Sequence, residues 1–122
     1  MYKRQYESCI RVHRELKHSM HGMSIADWVE GGIDNAMMGT WHFIFHPDIE
    51  IHDEKGSWLI VYKNHRLLRM IPDISFKLIS SWYAPSYGIK QQTWALYAHQ
   101  AIKTNTHHNG DTNKYRIMIE RY

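Results

Sequence analysis

An all-β fold, an antiparallel β-sandwich of about eight to ten strands, is what this sequence predicts, on three observations. Apolar and polar residues alternate with period two along almost the whole chain. The alternating segments recur at roughly 8–12-residue spacing, separated by Gly, Pro, Asn and Asp. No segment shows the 3.6-residue apolar spacing of an amphipathic helix; the nearest, residues 24–30, is short and fits alternation as well.

Ile10, Val12 and Leu16 alternate with Arg11, His13, Glu15 and Lys17, and Arg14 interrupts the apolar face. Met20-His21-Gly22 reads as a turn into Met23, Ile25 and Val29, where Asp27 is the polar member, and Gly31-Gly32 stops that strand. Residues 36–45 form the longest apolar run. Trp41, Phe43 and Phe45 take one face and Thr40, His42 and Ile44 the other, which predicts a central strand covered on both sides. His46-Pro47-Asp48 breaks the ladder because Pro47 has no N–H to donate, and Asp48 is expected to bond backbone amides there.

Ile49 and Ile51 resume the alternation, and residues 53–56 turn it. Residues 58–62 and 66–71 then read as a hairpin with a short polar loop. Ile74, Phe76 and Leu78 follow Pro72-Asp73. Ser80 to Tyr97 reads as strand, corner and strand: Pro85 fixes φ, Gly88 accepts positive φ, and Trp82, Tyr83 and Tyr87 crowd between the strands. Residues 104–113 form a polar loop, and Tyr115, Ile117 and Ile119 a last strand.

The chain has 122 residues, 43% of them hydrophobic, enough for one domain with one core. No window approaches the ~18 consecutive apolar residues of a membrane span, and no signal peptide is visible. Formal charge is +3 and the pI about 9.0, yet the fifteen Lys and Arg are scattered singly. Scattered charge reads as a soluble surface, not as a nucleic-acid footprint. It is compatible with an acidic polysaccharide partner. The single Cys9 has no disulfide or zinc partner and reads as a buried structural thiol.

Ten histidines call for a metal test. His42 and His46 on one strand would stand about 13 Å apart at ~3.3 Å per residue, too far for one ion. His107-His108 falls in the polar loop, where solvated imidazoles are the ordinary case. Asp53 and Glu54 are adjacent in a turn, so their carboxylates diverge. No HExxH, CxxC, GxSxG or Gly-rich phosphate cradle is present. The inventory therefore predicts no catalytic residue, no metal and no cofactor. Trp82, Tyr83 and Tyr87 either plug one end of the sandwich, the reading favoured by a Pro/Gly corner, or stack on sugar rings as a substrate-binding set.

Four segments, in order, resemble the carboxy-terminal β-sandwich of heparinase II/III-like polysaccharide lyases. They are His13-Arg-Glu-Leu16; Met23 to Gly31, with a D-x-V-x-G strand end; Trp41 to Ile49, with a His-Pro strand exit; and Ser81 to Ile89, with an aromatic Pro-x-Tyr-Gly corner. The resemblance runs from about residue 8 to the end, which leads us to expect a non-native leader at residues 1–5 and the domain at residues 6–122.

It implies a parent enzyme in which an amino-terminal α/α toroid precedes the sandwich. Such enzymes cleave uronic-acid-containing polysaccharides by β-elimination. The uronate carboxylate is neutralised, a base removes the C5 proton, and an acid assists the leaving oxygen. In the family Tyr and His fill the acid and base roles, with Asn or Arg at the carboxylate, in the toroid and the first part of the sandwich. No residue here matches those motifs.

The resemblance therefore implies a supporting, substrate-side fragment whose partners are an acidic polysaccharide and the missing toroid, in the periplasm or secreted. Alone, it is expected to expose faces that met the toroid and to associate. A stand-alone carbohydrate-binding or structural sandwich is the alternative.

Overall fold

Two antiparallel sheets share one core in the computed structural model, which describes residues 10–31, 37–105 and 113–122. Nine strands are present among the described residues. They are β1 (Ile10–Ser19), β2 (Gly22–Gly31), β3 (Met37–Ile44), β4 (Ile49–Glu54), β5 (Ser57–Tyr62), β6 (His65–Pro72), β7 (Lys77–Ser86), β8 (Ile89–Ile102) and β9 (Tyr115–Arg121). The larger sheet has the order β1-β2-β9-β6-β5-β4 and the smaller β3-β8-β7. The predicted all-β sandwich is the observed architecture.

Local chemistry sets the hairpins. Lys55-Gly56 and Lys63-Asn64 both take positive φ, the two-residue geometry whose twist matches the strands it joins. The pairing of β9 between β2 and β6 is long-range and seats Ile117 with no exposed surface. Opposite it, Leu96 of β8 is equally closed off, and Val29, Trp41, Ile60, Met70 and Phe76 complete the core. Asn105 closes the end of β2. Its backbone exchanges bonds with Val29 O and Gly31 N, and its side-chain amide donates to Val29 O and Asn113 O.

Several expectations are corrected. The run at 36–45 gives β3, which among the described residues pairs only with β8 and lies at the sheet's edge, and its outer face is exposed at Met38, Thr40, His42 and Ile44. Apolarity on both faces marked burial where there is none. Ile74 and Phe76 are buried but precede β7, which begins at Lys77. The aromatic corner is no plug: β7 continues to Ser86 and returns as β8, so Trp82 and Tyr87 project outward. Asp48 does not bond backbone amides. Its carboxylate lies 3.7 Å from His46 Nδ1, and that nitrogen accepts from the Asp48 N–H. Residues 1–5, Cys9, His107 and His108 lie outside the described residues.

Candidate functional site

The smaller sheet emerges from the core along the β7–β8 hairpin. Pairs Leu78↔Leu96, Ser80↔Trp94 and Trp82↔Gln92 put these side chains on one face, because residues directly opposite in an antiparallel ladder point the same way. At Leu96 that face is sealed by the larger sheet. Two residues further along β8 it opens: Trp94 is 50% exposed and Trp82 60%. Gln92 and Lys90 continue the same face by strand alternation, both exposed. A shallow recess of about 240 Å³ runs beside it between Pro47, Gln92, Thr93 and Trp94. The Thr93 hydroxyl donates to Phe45 O at 2.7 Å and ties that end of β8 to the chain leaving β3.

The hairpin holds its shape by two devices. A register shift between Tyr83 and Ser86 absorbs Ala84 and Pro85, and Pro85 is tolerated because β7 is an edge strand. Gly88 at φ 81° then closes the turn.

The three aromatics singled out in the sequence are not brought together. Trp82 lies on the open face. Tyr83 points to the opposite side of the sheet, half-buried, with its ring edge-on to His46 at 5.0 Å. Tyr87 stands at the tip, fully exposed. Trp94 joins Trp82 instead, and sequence reasoning missed it as a site residue. The hairpin register reveals it: Trp94 stands opposite Ser80, one same-face position along from Trp82.

A second constellation sits at the other flank. The buried Asp27 carboxylate accepts from Arg14 Nε at 2.7 Å, Arg14 Nη2 at 3.0 Å and Trp41 Nε1 at 2.9 Å. Asp27's hydrogen bonds hold the Arg14 guanidinium above its already high ordinary pKa, against partial burial. These residues line a cleft of about 320 Å³ with Val12, Val29, Met37 and Ile102. Both carboxylate oxygens are engaged by these three donors, so the trio reads as structural, not as an acid or base.

The outer face of the smaller sheet carries a row of rings. His42 meets Tyr97 edge-on at 5.9 Å, Tyr97 lies parallel to His99 at 6.4 Å, and His99 Nδ1 is 2.8 Å from Thr40 Oγ1. Among the described residues, no group of three or more His, Cys, Asp or Glu is placed to hold a metal ion. No protein-family model, curated protein or solved structure matches the chain.

Proposed function

We propose that this domain holds an acidic polysaccharide, as the non-catalytic, substrate-side sandwich of a heparinase II/III-like, periplasmic or secreted lyase. The observation that carries the reading is the pair of half-exposed indoles, Trp82 and Trp94, on one face with Gln92 and Lys90 beside them. Indoles left in water next to polar neighbours mark binding surfaces. Flat apolar faces suit the C–H face of a sugar ring, the Gln92 amide suits its hydroxyls, and the Lys90 ammonium suits a uronate carboxylate. The net charge of +3 adds a weak general attraction for a polyanion.

The test is calorimetric titration of the chain with alginate, heparin and chondroitin oligosaccharides. Binding to at least one is expected, weakened about tenfold or more by Trp82→Ala or Trp94→Ala, the loss of about 1.4 kcal/mol. Lys90→Gln should weaken it less and flatten its salt dependence. No unsaturated uronate ends should form. Absence of binding, or binding indifferent to both tryptophans, refutes the surface; cleavage by this chain refutes the supporting role. An upstream reading frame encoding a helical toroid separates the lyase reading from a stand-alone carbohydrate-binding module.

A further inference from the structure

The Trp82–Trp94 surface is closed on two sides, and the closures meet at Trp94. Along β8 the inner face of the smaller sheet is sealed at Leu96 and Ala98, within the shared core, and opens from Trp94 outward. Along β7, Leu78 is 37% exposed, but Phe76 and Ile74 behind it are buried. A polymer laid on the two indoles therefore meets packed protein at its inner end.

The second closure is a crossover of the chain. β3 belongs to the smaller sheet and β4 to the larger, so residues 45–48 pass from one sheet to the other. They pass against the flank of β8. The Phe45 N–H donates to Trp94 O, the Thr93 hydroxyl donates to Phe45 O, and Pro47 lines the recess with Gln92, Thr93 and Trp94. The Ile49 N–H donates to His46 O and folds the crossover into a tight turn, with Pro47 at the position where its fixed φ suits one. Trp94 thus occupies a corner, with core side chains on one side and main chain on the other. The corner lies at the end of the smaller sheet away from Met37, Ile102 and Asn105.

The remaining sides are open. Among the described residues β7 is an edge strand, and the hairpin runs on to the fully exposed Tyr87. Trp94 stands opposite Ser80 and Trp82 opposite Gln92, so the indoles occupy successive levels of one face, about 6.6 Å apart along the strands. Lys90 follows at the next level toward the tip. A polymer crossing the hairpin at right angles meets one level, and so one indole. A diagonal course over both runs into Pro47. To cover both indoles, a polymer must enter past Trp82 and stop at Trp94.

We propose that this surface binds a chain end of an acidic polysaccharide and not its interior. The terminal unit seats in the recess against Trp94, the next lies on Trp82, and a carboxylate further along meets Lys90. Charge favours that order: Asp48 puts a carboxylate beside Pro47 at the blind corner, and Lys90 puts a cation toward the tip. The inference rests on the saccharide reading above and adds which part of the polymer is held.

The test mixes the full chain with length-fractionated alginate, heparin and chondroitin and reads the mass of the complexes by light scattering. Salt is held at about 0.15 M, where diffuse attraction between the basic protein and a polyanion is screened. One protein per polysaccharide chain is expected at every length, so that doubling the length halves the protein bound per gram. Trp82→Ala and Trp94→Ala should each weaken that loading about tenfold. Several proteins on one long chain, or loading that follows polysaccharide mass, overturns the inference and leaves the saccharide reading standing. Absence of binding to all three polymers, or binding indifferent to both indoles, overturns the saccharide reading and this inference with it.

Discussion

Strands β1 and β5 carry comparable apolar residues and meet opposite fates. In β5, between β4 and β6, Trp58 and Ile60 are buried in the shared core, and Leu59 and Val61 are buried on the strand's other face. In β1, Ile10, Val12 and Leu16 face the same interior and remain in water. Alternation tells which face is built for burial, but burial itself needs an opposing layer. Trp58 and Ile60 share one core with Leu96 of the smaller sheet, whereas nothing among the described residues closes over Ile10, Val12 and Leu16.

The comparison is broken or sharpened by three substitutions read in one denaturant titration. Ile60→Ala should have the largest effect, lowering the unfolding free energy by about 2–5 kcal/mol through lost burial and a residual cavity. A loss under about 1 kcal/mol would erase the contrast, since the site would then behave like a surface. Asp27→Ala should come second, at about 1–3 kcal/mol. It strands the Trp41 indole N–H, whereas the half-exposed Arg14 recovers solvent. Val12→Ala should come last, within about 0.5 kcal/mol. A much larger cost at Val12 would mean that β1 is already covered in solution.

Most strand positions were legible because each is a local matter of alternation and turn chemistry. Gly22, Gly56, Asn64 and Gly88 punctuate hairpins close to where the sequence placed them. Sheet order was not legible. Nothing in Tyr115 to Ile119 announces that β9 sits between β2 and β6, because that pairing depends on partners about 45–95 residues away. The same limit explains the misreading of β3: Met38 and Ile44 look like core residues, but among the described residues no strand pairs with the outer edge of β3. At the candidate site, the local signal was strong enough to single out Trp82. Pairing it with Trp94 required the hairpin register, and separating it from Tyr83 required trusting alternation through the corner.

The Arg14–Asp27 pair has a consequence for assembly as well as for packing. Both residues interrupt apolar faces, and they stand at mirror positions about the Met20-His21 turn. Were β1 to slide one step along β2, Arg14 would swing to the far side of the sheet. Glu15 or His13 would then take its place beside the sunken carboxylate, and a glutamate there is repelled. The guanidinium works as a key cut for one alignment, so the hairpin that begins the described chain can zip correctly before any distant strand arrives to correct it.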